Sequence, residues 1–191
     1  MISNRSRSTC AAGFTLIELM VGIAVLAILL TVAVPSLQKI IRDNRVTAQA
    51  NELVAMANLA RNEAVRRGIN RFSDEQALLR LDKNIEGADG WSGNVSLADG
   101  VTAEGCPTGV IRCASNEDVE IEWNSNDTEL VLSFMDRGDL EDRRTAVICF
   151  KHKGSCEGSR QHRKITIFPS GIVETNSPRT DPLACDEACV E

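Results

Sequence analysis

Gly13-Phe14-Thr15-Leu16-Ile17-Glu18-Leu19-Met20, continuing to Val34, is the stretch whose reading decides the fold. From Phe14 to Val34 the only ionisable side chain is Glu18. These residues, about 21 at ~1.5 Å rise each, make a helix of roughly 31 Å, about the hydrocarbon thickness of a bilayer. A carboxylate in such a span costs on the order of 2.5–3.5 kcal/mol, so Glu18 is expected to be paired and functional. The nearest cation of the right kind is an α-amine. Cleavage between Gly13 and Phe14 would create one on Phe14, in the same chain or in a neighbouring subunit. A secretory signal peptide would end in an A-x-A-like site and carry no acid in its apolar region. A plain membrane anchor leaves Glu18 unexplained.

The chain has 191 residues and a formal net charge of −6. Residues 1–13 read as a polar, basic leader. Removing them takes Arg5 and Arg7 from the 21 basic residues, leaving 19 against 27 acids, a charge of −8. An acidic surface does not draw nucleic acid over long range. Of seven cysteines, Cys10 would leave with the leader. Cys106, Cys113, Cys149, Cys156, Cys185 and Cys189 remain, an even number expected to form disulfides in an oxidising compartment such as a bacterial periplasm. Zinc is the rival use. It is disfavoured because no C-x2-C pair exists and only His152 and His162 are available. Basic residues lie on both sides of the span, so the charge rule leaves its orientation open. The cysteines place the C-terminal side outside the cytoplasm.

Downstream of the span, Pro35 reads as a bend, because the helical pattern resumes at once. Val46, Ala50, Leu53, Ala57, Ala60 and Ala64 recur at spacings of three and four, which puts them on one face. These mostly small residues let another layer approach closely, and a β-sheet is expected there. Arg45, Glu52 and Arg66 lie on the opposite face. Gly68, after Arg66-Arg67, is a C-terminal stop. Phe14–Arg67 would then be one helix of roughly 80 Å, its first half in lipid or an assembly and its second half a spine.

After Gly68 the composition shifts to Gly, Asn, Asp and Ser with short β-type runs. Strands are expected at Ala77–Leu81, Val95–Leu97, Val119–Trp123, Leu130–Phe134, Thr145–Phe150, Lys164–Phe168 and Ile172–Glu174. Val119–Trp123 alternates strictly, as a half-buried antiparallel strand does. Pro169-Ser170-Gly171 reads as a hairpin turn. The fold class is α+β: one long N-terminal helix, transmembrane in its first half, packed on an antiparallel β-sheet. The domains are a leader at 1–13, a transmembrane and assembly helix at 14–34, its amphipathic continuation at 35–68, and a β-rich periplasmic globular domain with a C-terminal tail at 69–191.

The run Gly13–Met20 resembles the type IV pilin and pseudopilin signature, cut after its glycine. Leu59-Ala60-Arg61-Asn62-Glu63-Ala64-Val65-Arg66-Arg67-Gly68, the strand ending in Cys149, and the hairpin Lys164–Val173 are similar to the GspH/FimT family of minor pseudopilins and minor pilins. The resemblance is unbroken from Gly13 to Met20, patchier after Gly68, and silent over Phe72–Cys113. It implies a pilin fold and cleavage between Gly13 and Phe14 by a prepilin peptidase, with N-methylation of Phe14. It also implies an inner-membrane anchor and entry into a type II secretion pseudopilus or type IV pilus, near the tip, beside other pilins. Glu18 would pair with the Phe14 amine of a neighbour. In the family a cysteine placed like Cys149 often clamps the C-terminal tail, which suggests Cys185 or Cys189 as its partner. Short spacing favours Cys106–Cys113, and the six cysteines still allow 15 connectivities.

Two other functions stay open: a DNA-binding minor pilin for natural transformation, and a membrane-anchored periplasmic module that never polymerises. Relatives that bind DNA use a G-R-x-R-like motif at the last hairpin. Here Gly171, Ile172, Val173 and Glu174 stand there, so both arginines are missing. The basic run Arg160, His162, Arg163, Lys164, with Lys151 and Lys153, reads as a solvated strand end. Asp136, Asp139, Glu141 and Asp142 around Gly138 lack the spacing of a calcium loop, and Arg137, Arg143 and Arg144 neutralise them. There is no G-x-S-x-G, H-E-x-x-H or phosphate loop. No enzyme activity, cofactor or metal is expected.

Overall fold

The computed structural model describes residues 14–85, 88–97, 110–125, 127–153 and 162–176. The chain divides into two compact units, Met1–Ile40 and Ile41–Glu191. In the first, every described residue is exposed. It consists of the apolar N-terminal part of helix α1 (Leu16–Arg67). Pro35 lies inside α1, so that turn lacks one backbone donor while the helix continues through it.

The second unit holds the core. Val46, Ala50, Leu53, Met56, Ala57, Ala60 and Ala64 of α1 are all buried. The small side chains on this face let the helix lie close to its neighbours, and Met56 joins the face that the spacing marked out. α1 ends in a Schellman turn. Ile69 N–H donates to Ala64 O at 3.0 Å and Gly68 N–H to Val65 O at 3.3 Å. Gly68 supplies the left-handed residue at φ 64° that this turn requires. Ile69 is buried beside it. Arg66 and Arg67 occupy the last turn, where cations suit the negative end of the helix dipole.

Eight strands follow: β1 (Ala77–Ile85), β2 (Ala88–Ser96), β3 (Val110–Asn116), β4 (Val119–Trp123), β5 (Glu129–Phe134), β6 (Ala146–His152), β7 (Arg163–Ile167) and β8 (Val173–Asn176). They form two antiparallel four-stranded sheets, in the orders β3-β2-β1-β5 and β4-β6-β7-β8. The expectation of one sheet is thereby refined to two, and β3 is a strand that the sequence reading missed. The inner faces of both sheets and the buried face of α1 share one apolar cluster. Trp91 of β2 and Phe150 of β6 meet edge to face at 5.4 Å across it. Such a pair adds about 0.5–1.5 kcal/mol beyond area burial.

Ion pairs fix α1 to its surroundings in the second unit. Arg112 of β3 holds Glu52 through two hydrogen bonds, at 2.7 and 2.9 Å. Arg163 of β7 reaches Asp43 at 3.1 Å, and Arg45 reaches Asp118 at 2.5 Å. Half-exposed pairs of this kind contribute about 0–1 kcal/mol each, so they set position more than stability.

Candidate functional site

The site opens at the start of α1. Thr15 precedes the first helical residue, and its Oγ1 accepts the Glu18 backbone N–H at 3.3 Å. This satisfies one of the donors that a helix N-terminus leaves orphaned. Thr15-x-x-Glu18 is also the spacing of a capping box, a signal present in the sequence that its reading did not use. Glu18 lies in the first turn, where the helix dipole favours an acid. Its position is therefore set twice, by the cap and by the dipole. A carboxylate held there stands one turn from the Phe14 amine that cleavage would create.

The surface around Glu18 is apolar. Phe14 is 84% exposed, and Leu16, Ile17, Leu19 and Met20 are exposed as well. The exposed run continues to Ile41. Within it, Thr31 turns its hydroxyl back on Ile28 O at 2.7 Å, so it presents no unsatisfied donor. Among the described residues one helix is long and apolar enough to cross a membrane. Such a face is expensive in water, at roughly 25 cal/mol per Å² of apolar surface left exposed.

The other residues singled out from sequence fall elsewhere. Among the described residues, the basic run is largely paired or buried. Arg163 is paired with Asp43, and Lys151 sits between Glu122 and Glu120, 3.4 Å from the latter. His162 is buried. Lys153 and Lys164 have partners of their own. Arg160 lies outside the described residues. The acidic loop is a tight turn after β5: Gly138 N–H donates to Met135 O at 2.8 Å and Met135 N–H to Asp139 O at 2.9 Å. No group of three or more His, Cys, Asp or Glu able to hold a metal occurs among the described residues. Cys113 on β3 and Cys149 on β6 are each disulfide-bonded. Gly13, Cys10, Cys106, Cys156, Cys185 and Cys189 lie outside the described residues.

The hairpin Pro169-Ser170-Gly171 is built like the turn after β5. Gly171 N–H donates to Phe168 O at 2.8 Å, and Gly171 has φ 72°, as Gly138 has 77°. The two turns meet back to back, and Arg61 Nε donates to Gly138 O at 3.1 Å beneath them. Arg61 belongs to the end of α1 on which the family resemblance rests, and this is its structural work.

Comparison with known proteins follows the same division of the chain. Residues 9–34 match the prokaryotic N-terminal methylation motif. Residues 49–171, more than half of the chain, match the family of the type II transport protein GspH. The chain belongs to the GspH family. Two crystal structures of the type IV minor pilin FimU from Pseudomonas aeruginosa share the fold of this GspH-family chain. One superposes with a TM-score of 0.51 at 19% identity, covering 73% of this chain and 98% of that one. The second gives 0.52 at 19% identity, covering 74% and 96%. Among curated proteins, no relative matches the sequence. The GspH-family chain thus joins an N-terminal methylation motif to a pilin-like body, and its family is one of structural proteins rather than enzymes. Its fold is the pilin fold: a long apolar N-terminal helix with antiparallel sheets.

Proposed function

We propose that this chain is made as a precursor, cut between Gly13 and Phe14 by a prepilin peptidase, and N-methylated on Phe14. It is then held in the bacterial inner membrane by residues 14–34 with its globular domain in the periplasm, and enters a type II secretion pseudopilus or a type IV pilus, at or near the tip. Glu18 pairs there with the Phe14 amine of a neighbouring subunit. One observation carries the reading: every described residue from Phe14 to Arg42 is exposed, with a single carboxylate near its start. That surface asks for a lipid or helical partner. A carboxylate buried in it is tolerated when matched by a cation and costly when alone. The N-terminal methylation motif and the minor-pilin fold support the same reading.

The intact mass of the protein purified from membranes tests the processing step. The expected mass lacks residues 1–13 and carries one added methyl group. A full-length mass overturns it, as does normal processing when Gly13 is replaced by a bulky residue. Glu18→Ala tests assembly: the subunit should stay in the membrane and drop out of filaments. A non-polymerising anchor would be indifferent to the change. For the disulfides we propose Cys106–Cys113 and a clamp from Cys149 to Cys185 or Cys189. Cys149 lies in the row that ends at Asn176, through Lys164, and the tail starts there. Peptide mapping without reduction decides among the pairings. The DNA-receptor reading draws no support from the paired Arg163 and Lys151.

A further inference from the structure

β5 is an edge strand that the described residues cover only in part. β1 lies on one side of it, and no strand lies on the other among the described residues. Lys83 N–H donates to Thr128 O at 3.2 Å, and Asp82 pairs with Glu129. Antiparallel alternation then turns the backbone groups of Leu130 and Leu132 toward β1, and those of Glu129, Val131 and Ser133 toward the outer edge. Covering of that edge begins and stops. Glu141 N–H donates to Ser133 O at 3.0 Å, beside the bridge between Phe134 and Leu140. Arg143 then takes a left-handed backbone at φ 54°, and the chain leaves to build β6 in the other sheet. Among the described residues no strand stands beside the outward N–H and C=O groups of Glu129 and Val131.

The gap is a cleft of about 340 Å³ between β5 and the segments around Ser125 and Thr145. Leu130, Val131 and Leu132 give it an apolar wall. Val131 is 38% exposed. Asp127, Glu129 and Asp142 line it beside Arg144. Arg80 of β1 reaches Glu129 at 3.4 Å, so Asp127 and Asp142 carry most of the acidic character on the open side. An uncovered edge of this kind is a template for strand addition, in which main-chain bonds supply affinity and flanking side chains supply specificity.

We infer that the outer edge of β5 accepts an extended segment of a different subunit, in which apolar residues alternate with lysine or arginine. The carboxylates of the cleft select the basic partner. The chain's own C-terminal residues carry Asp181, Asp186, Glu187 and Glu191 against one Arg179, the same sign as the cleft. A second copy is no better: its strand with adjacent cations, Arg163 and Lys164 of β7, already sits between β6 and β8. The inference rests on the reading of this chain as an assembly subunit, and it adds a contact separate from Glu18.

Amide exchange on the full chain in detergent micelles tests it, with two short peptides as probes, one alternating valine with lysine and one alternating valine with glutamate. The Val131 amide should exchange fast in the free chain and slow at least about tenfold with the lysine peptide, and the glutamate peptide should leave it unprotected. Val131→Pro removes the outward donor and spares the ladder to β1, so it should abolish peptide binding, read at the outward Glu129 amide, while the chain stays folded. Asp142→Lys, on an exposed residue, serves as the second variant and should reverse the preference between the peptides. Slow exchange in the free chain, equal protection by both peptides, or an unchanged preference in Asp142→Lys each overturns the inference. Loss of this edge binding leaves the Glu18→Ala assembly result standing, and failure of that result leaves the edge measurement standing, so the two ideas fail separately.

Discussion

Gly68 and Gly171 both hold left-handed backbone, yet their surroundings differ. A Cβ on Gly68 would meet nothing within 4 Å. A Cβ on Gly171 would stand 1.7 Å from Gly138 O, inside the atom itself. An L-residue in that conformation costs about 1–2 kcal/mol wherever it occurs. Gly68→Ala should therefore lose about 1 kcal/mol, part of which is offset by the stiffer unfolded chain. Gly171→Ala should lose more than about 3 kcal/mol, because the two turns must separate and Arg61 loses its acceptor. Urea unfolding of the detergent-solubilised chain measures both, and equal losses would disprove the turn-to-turn contact. The hairpin glycine was legible in the sequence as a turn residue. The carbonyl pressed against it was not, because that carbonyl lies some 30 residues earlier in a loop that read as a solvated acidic turn. Glu18 was legible as an anomaly from its isolation alone, whereas its cap, Thr15, went unnoticed beside a louder apolar run.

At the scale of elements, the end of α1 carries a pH dependence. Glu63 accepts hydrogen bonds from Arg66 at 2.6 Å and Arg67 at 3.1 Å. These two bonds, with Arg66 the larger influence, hold the Glu63 carboxyl below its ordinary range. Arg67 is raised in turn by Glu63 first and Glu75 second. A depressed carboxylate contributes stability that is present above its unfolded pKa and lost as pH falls through the folded one. Glu63→Gln should thus be slightly less stable than the parent at pH 7, with the difference vanishing below the usual carboxylate range. Urea midpoints at neutral and acid pH check this, and a gap that persists in acid would contradict the pairing. Among the strands, β4 was readable because Val119, Ile121 and Trp123 are buried and alternate with partly exposed acids. β3 was not, because as an edge strand it buries no residue fully and shows no alternation. β2 was caught only at its end: Gly, Ser and Asn have low strand propensity, and here both faces are buried, Trp91 and Val95 on one and Ser92, Asn94 and Ser96 on the other.

For the molecule as a whole, the division between membrane-type helix and globular body was plain in the sequence, but the partition into two sheets was not. Turn residues mark where a strand stops, and they carry no information on which edge the next strand joins. That choice is made at Arg143, whose left-handed backbone nothing in an arginine announces. The division itself makes a strong prediction. The first buried residue of α1 is Val46, and no described residue from Phe14 to Arg42 is buried. Asp43, which holds Arg163, lies beyond the boundary at Ile40. Every member of the apolar core therefore belongs to Ile41–Glu191. A chain beginning at Ile41 should unfold in one cooperative step and keep the stability of the full chain within about 0.5 kcal/mol, the range of changes away from a core. It should do so without detergent, because the apolar surface that calls for detergent leaves with residues 1–40. It should also fail to enter filaments or membranes. Urea unfolding of the two chains side by side decides the matter. A loss well above 1 kcal/mol in the shorter chain would mean that the first unit helps to hold the second together, and that the exposed apolar run is more than an anchor and assembly surface.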